Sequence, residues 1–350
     1  MRDASDGPSE ALHGRGSIAG VRLDSYNLKL GGNGRFVGDE ARGKAFQDIL
    51  DSLRAERSRN GVDPLGSVAS DDRHTLDALL EEGASPEADL IREAVASFAH
   101  AFADVSRQFL RTAEWRGTQR IAVGGGFREN RIGEEAIRQA QTWLRAAGFP
   151  VDLRPIRSHP DEAALLGAVH LCPTALLQDS EAILAVDIGG SNIRAGVVLL
   201  NHDHASDLGA SEVLMREHWC HKDERPDRDE TVERLIDMLR RLVEQATAAD
   251  VRLAPFIGIG CPGEIRPDGT IECGTQNLPG DWEANGFHLP ERVRSALPIL
   301  GGSETVVAMH NDAVVQGLSE LPYMRDVSRW GILTIGTGLG NARFSWSQAG

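Results

Sequence analysis

The chain has 350 residues, 41% of them hydrophobic and 25% charged, with a formal net charge of −15. That is a globular composition, long enough for two lobes with separate cores, and an acidic surface disfavours nucleic acid or an anionic membrane as partner. The four cysteines, Cys172, Cys220, Cys261 and Cys273, form no CxxC pair, which argues against structural zinc and a secreted disulfide framework. No apolar run approaches a membrane span, so a cytoplasmic protein is expected.

The opening "MRDASDGPSEALHGRG" is polar and Gly-rich, and reads as frayed. Residues 86–112 carry Ile91, Val95, Phe98, Phe102, Val105 and Phe109 at helical spacing, a core-facing stripe. A strand "RIAV", a turn "GGGFREN", an amphipathic helix to about 147 and a strand "VDLRPI" follow. A helix "DEAALLGAVHL" near 161–171 leads to "ILAVDIGGSNIRAGVV" (183–198), which reads as strand, tight turn, strand. Next come a polar helix at 229–248, a strand "FIGIG" and a loop-rich segment, 261–290. Strand "TVVAM" runs into "HNDAVVQGLSE", and the last stretch is "WGILTIGTGLGNARFSW". Alternating βα units predict an α/β fold with helices covering mixed sheets.

Two segments echo each other. "ILAVDIGGSNIRAGVV" and "GILTIGTGLGNARFSW" each place a Gly-rich polar turn between apolar strands, with Arg shortly after it. Such turns present backbone N–H groups to phosphate, and Asp187 beside the first can attract a metal. Either alone reads as an ordinary hairpin; the pair points to a held polyphosphate.

These segments resemble the ROK family (repressors, open reading frames and sugar kinases) of the actin, hexokinase and Hsp70-like ATPase superfamily. "AVDIGGSNIRAG" and "TIGTGLG" resemble its two phosphate motifs. "IGIGCPGEIRPDGTI" with "NLPGDW" resembles its small-lobe signature leading to the sugar site, and "HNDAVVQGLSE" its catalytic Asn-Asp motif. "RIAVGGGFREN" resembles its adenosine motif and "DEAALLGAVHL" its closing helix. The resemblance touches nearly the whole chain, but the order differs. Here the adenosine motif and closing helix precede the first phosphate motif, and each motif occurs once. That is the pattern of a circular permutation, with the old termini joined across "LCPTALLQDSE". A truncated tandem fusion, or half-kinases completing each other between chains, are the rival explanations.

The resemblance implies two ribonuclease H-like lobes flanking a nucleotide and sugar cleft. Residues 1–158 with 325–350 would form the larger lobe and 159–324 the smaller. It implies an ATP-dependent sugar kinase using Mg²⁺ and a homodimer, which is typical of the family; no zinc is expected, because the cysteines lack metal-ligand spacing. Asp312 would be the general base, with a helix N-cap as its alternative or additional role. Asn311 would bond a sugar hydroxyl, or serve as a turn residue. Asp187 would hold Mg²⁺ through water. Gly189, Gly190, Ser191 and Asn192, with Gly336, Thr337 and Gly338, would bind phosphate. Gly124, Gly125 and Gly126 would admit adenine and ribose, or simply turn the chain. Asn277 and Trp282 would shape the sugar side, or pack a loop, and Arg194 is equally readable as a structural ion-pair partner.

Two departures bear on substrate. The family's Glu-x-Gly-His sugar element corresponds here to "GRGSIAGVRLDSY", with Val21 and Asp24 at the Glu and His positions. Its Cys-rich zinc loop corresponds at most to the cysteine-free "GGNGRFVGDEARGKAF". The catalytic motifs persist while the claim on glucose weakens, which leaves a catalytically inactive sugar or nucleotide sensor as the second reading. A DNA-binding repressor is disfavoured, since no helix-turn-helix segment stands outside the kinase motifs. Polyphosphate is an alternative phosphoryl donor.

Overall fold

The computed structural model describes residues 12–32 and 35–347. The chain forms two compact units: one holds Leu165–Val315 with the described residues up to Gly20, the other Val21–Ala164 and the described residues from Gln316 onward. Among the described residues no helix is long and apolar enough to cross a membrane.

In chain order the principal elements begin with strand β1 (Val21–Tyr26) and helices α1 (Gly43–Arg59), α2 (Arg73–Glu81) and α3 (Pro86–Arg111). Strand β2 (Arg120–Gly124), helix α4 (Arg131–Ala146), strand β3 (Asp152–Pro155) and helix α5 (Pro160–Ala168) follow. Then come β4 (Ala182–Ile188), β5 (Asn192–Leu199), β6 (Glu212–Cys220) and α6 (Arg228–Ala248). Strand β7 (Leu253–Cys261), α7 (Leu289–Ala296), β8 (Val306–Asn311), α8 (Asp312–Leu318), β9 (Arg329–Ile335) and β10 (Leu339–Trp346) complete the set. Chain passage between the units falls between Gly20 and Val21, inside α5 and inside α8.

The unit containing β4 has the strand order β8-β7-β4-β5-β6. Strands β4, β7 and β8 are parallel neighbours, while β5 and β6 are added antiparallel. In the other unit the order is β1-β10-β9-β2-β3, with β9, β2 and β3 parallel and β10 and β1 antiparallel. The two sheets share one plan. β9 matches β4, β10 matches β5, and β1 matches β6. The match extends to helices: α3, α4 and α5 follow β1, β2 and β3 as α6, α7 and α8 follow β6, β7 and β8. One difference in sequence order stands out, because β1 precedes β9 by some three hundred residues while β6 directly follows β5.

Burial explains the elements. Helix α3 starts on Ser85, whose side chain accepts from the Ala88 N–H at 3.1 Å, with Pro86 in its first turn, a favoured helix start. Its stripe Ile91, Val95, Phe98, Phe102, Val105 and Phe109 is buried as the spacing predicts, each side chain contributing about 1.5–3 kcal/mol of apolar burial. Phe98 meets Phe127 at 4.5 Å between ring centroids. Helix α6 carries a capping box of Asp227 and Glu230 and buries Val232, Leu235, Ile236, Leu239 and Leu242 against the β4 sheet. The glycines of "FIGIG" lie on one face of β7. A Cβ on Gly258 would come within 2.9 Å of the Ala168 Cβ in α5, so that helix end packs directly on the strand.

Candidate active site

In the β4 unit the expected catalytic residues gather at the carboxyl ends of three parallel strands. Asp187, the penultimate residue of β4, lies opposite Gly260 of β7, and Asn311 ends β8 opposite Cys261. Asp312 opens α8 directly after β8; since β4 and β8 flank β7, Asp187 and Asp312 stand about 10 Å apart at the backbone by sheet spacing. Gly260 puts no side chain toward the start of α8, where a Cβ would lie 3.6 Å from the Asp312 Cα.

The Asp187 charge acts on Asp312. Burial, and then the charge of Asp187, push the Asp312 pKa up to about 7, the range suited to a general base at neutral pH. Asp312 still accepts a bond from the Ala313 N–H at 2.9 Å. The main cap of α8 is Asn311, whose Oδ1 accepts from Ala313 and Val314 at 3.0 and 3.3 Å, while its Nδ2 donates to the Gly263 carbonyl at 3.0 Å. Asn311 is buried, so its main visible work is to orient Asp312 rather than to present an open amide. Asp187 pairs with Arg194, whose Nη1 lies 3.2 Å from Oδ2, which favours the ion-pair reading of that arginine.

The first Gly-rich turn is tightly built. The Gly189 N–H donates to the Asn192 carbonyl at 2.8 Å. The turn is braced from outside: His221 Nε2 donates to the Gly189 carbonyl at 2.9 Å, and His218 Nε2 lies 2.9 Å from Asn192 Oδ1. The Lys222 N–H reaches the Ser191 carbonyl at 3.3 Å, and Gly190 and Ser191 remain half-buried. Sequence reasoning missed His218 and His221, because β6 was not foreseen as a strand.

Asn277 lies exposed in the loop between β7 and α7. Trp282 corrects the expectation of a sugar-facing ring. It is fully buried, donates from Nε1 to the Pro279 carbonyl at 2.7 Å and packs edge-on against Phe287. An indole enclosed in this way holds the loop together and has no face left for a ligand.

The other unit brings together the second turn and the adenosine-like loop. β9 and β2 run parallel with Thr334 opposite Gly124. Gly125 has φ +83°, and a Cβ there would fall 2.4 Å from the Ile335 carbonyl oxygen, so only glycine fits the approach. Gly126 is exposed with open space beside it. The Gly336 N–H donates to the Gly338 carbonyl at 2.9 Å, and Gly336 accepts from the Gly43 N–H at 3.0 Å. Gly336 and Thr337 are exposed. Val21 and Asp24 are absorbed by the sheet: Val21 is buried, and Asp24 pairs with Arg343 and accepts from Ser345 at 3.1 Å.

Among the described residues, the cluster of three side chains able to share a metal is Glu129, His159 and Asp161. Asp187 is outside it. The carboxylates of Asp187 and Asp312 nevertheless have the hard oxygen chemistry that Mg²⁺ prefers, and the Asp187 charge that adds to burial in raising the Asp312 pKa is one that a divalent cation would offset.

No protein-family model and no curated protein matches the sequence. Solved structures do. A candidate sugar kinase from Cytophaga hutchinsonii is 21% identical, covering 47% of this chain and 48% of that one, with a TM-score of 0.36. A candidate N-acetylmannosamine kinase from Listeria monocytogenes is 27% identical over 47% of each chain, with a TM-score of 0.34. The ROK hexokinase of Thermus thermophilus is 21% identical over 46% of this chain and 45% of that one, with a TM-score of 0.32. The chain thus spans about half the length of each of these three structures.

Proposed function

We propose that the protein is a ROK-like kinase with rotated motif order, transferring the γ-phosphoryl group of ATP to a hydroxyl of a sugar or sugar-like molecule. The observation that carries this reading is the Asp187–Asp312 pair at the carboxyl ends of β4 and β8, with the Asp312 pKa raised to about 7. The Asp312 carboxylate takes the hydroxyl proton as that oxygen forms a bond to the γ-phosphorus, and the bond to the β,γ-bridging oxygen breaks to leave ADP. Asn311 holds Asp312 in place, and the turn at 189–192 supplies N–H donors to phosphate. Mg²⁺, when bound near Asp187, supplies charge neutralisation on the phosphate oxygens. Most of the rate enhancement in such a transfer comes from alignment and charge stabilisation.

The rotated order is supported by β1. This strand completes beside β10 the same antiparallel trio that β6 completes beside β5, yet it lies far ahead of β9 and β10 in sequence. Two lobes of ribonuclease H-like plan in a rotated motif order account for that arrangement. The inactive-sensor reading draws support from Val21 and Asp24, neither of which is available to a sugar hydroxyl. A coupled ADP-release assay across a panel of sugars separates the two: turnover of any panel member supports the kinase, whereas nucleotide binding without turnover supports the sensor.

A further inference from the structure

Arg73 opens α2, in a polar stretch, "SDDRH", that carries no motif. Its guanidinium stacks 4.6 Å over the ring of Phe127, the aromatic residue of the loop after β2. Its Nη2 and the Gly336 carbonyl oxygen lie 2.8 and 3.2 Å from the position a Gly43 Cβ would occupy. The group therefore stands between the adenosine-like loop and the Gly336–Thr337–Gly338 turn, inside one unit.

Among the described residues it makes no ion pair and no hydrogen bond. Glu129 acts on it only through space, and burial lowers its pKa. Arg73 is half-buried; partial desolvation of a guanidinium without an anion carries a cost, and a cation–π contact returns only part of it. Five N–H donors in a planar fork fit phosphate oxygens.

We infer that Arg73 is a phosphate-binding residue that grips the phosphoanhydride chain of the donor at the second Gly-rich turn. This rests on the kinase reading for its setting, though the chemistry requires only a condensed phosphate. Nucleoside triphosphate and inorganic polyphosphate share it, and a three-ligand comparison separates them.

The experiment is calorimetric titration of the full chain with ATP, inorganic tripolyphosphate and adenosine, for wild type, Arg73→Gln and Arg73→Lys. Arg73→Gln should weaken ATP roughly 10- to 100-fold, the scale of a lost hydrogen bond to a charged group, with adenosine affinity unchanged. Arg73→Lys, which keeps the charge and loses the fork, should fall between. Tripolyphosphate weakened alongside ATP makes the chain itself the ligand, and tripolyphosphate bound more tightly than ATP marks polyphosphate as donor. Equal ATP affinity in wild type and Arg73→Gln overturns the inference and leaves the kinase reading intact if wild type still turns over a sugar. Loss of ATP and adenosine together in both variants overturns it too, because Arg73 would then be a packing residue. A wild type that binds neither ATP nor tripolyphosphate removes both this inference and the kinase.

Discussion

The Asn311 side chain joins the start of α8 to the loop after β7: its Nδ2 donates to the Gly263 carbonyl at 3.0 Å while its Oδ1 caps two N–H groups of the helix. Asp312 is held between those two anchors. Asn311→Ala should destabilise the protein by about 1–2 kcal/mol, the usual cost of losing a cap, seen as a lower urea midpoint. Turnover should fall as well, since the base loses its orientation, while adenosine affinity should be unchanged.

Gly125 and Gly126 give a sharper contrast, because they are adjacent and differ in backbone φ and in surroundings. Gly125→Ala forces a Cβ into the Ile335 backbone at a positive φ, and Gly126→Ala meets nothing. Thermal unfolding should show Gly125→Ala several degrees below wild type with weakened nucleotide binding. Gly126→Ala should match wild type in stability.

Asp24 and Arg343 form a pair in which both side chains are largely buried. Asp24→Asn leaves the guanidinium without its counter-charge, at a cost of about 3–5 kcal/mol, measurable by denaturant unfolding. The same commitment of Asp24, with Val21 buried, predicts that glucose is a poor ligand. Glucose emerging as the best substrate of a sugar panel would contradict this account of the pocket.

Much of the architecture was readable because its signals are strong. The stripe of α3, the two Gly-rich hairpins and the "HNDAVV" strand-to-helix step all combine apolar periodicity with a turn or cap. Strand β6 was not, since "EVLMREHWC" is largely solvent-facing and shows little apolar alternation. Helix α1 buries only Gly43, Phe46 and Leu50, too few for a visible stripe. Trp282 has two readings in the sequence, the sugar side or loop packing, because a tryptophan in a loop has two chemically reasonable destinations, and only packing decides between them. Arg73 gave no sequence signal: its meaning comes from Phe127 and Gly336, which are distant in the chain.

Acid should weaken the β4 unit through His310. This ring is buried, with Nδ1 accepting from the Asn311 N–H at 2.7 Å and Nε2 donating to the Arg15 carbonyl at 3.0 Å. Burial lowers its pKa from 6.5 to about 4. The unfolded chain therefore binds this proton first as pH falls, and stability drops between about pH 6.5 and 4, by up to about 1.4 kcal/mol per pH unit. His13, whose Nδ1 accepts from the Met309 N–H at 3.2 Å and whose pKa is likewise lowered to about 4, adds to the same window. Asp312, whose pKa is raised to about 7 by burial and then by Asp187, contributes the opposite slope, so urea unfolding at pH 7, 5.5 and 4 in an Asp312→Asn background measures the histidine slope, and a flat profile there would contradict it.

Asp312→Asn bears most directly on the proposed chemistry. The Asp312 pKa is raised in the folded state, so ionisation costs stability as pH rises from about 4 to about 7, and the neutral amide should leave the variant at least as stable as wild type at pH 8. The decisive measurement is coupled ADP release at pH 8 with the best sugar of the panel, alongside ATP binding. Asp312→Asn should bind ATP as wild type does and lose roughly 10²–10⁴-fold in turnover, the scale of general-base catalysis; equal turnover in the two proteins would contradict the assignment of the base.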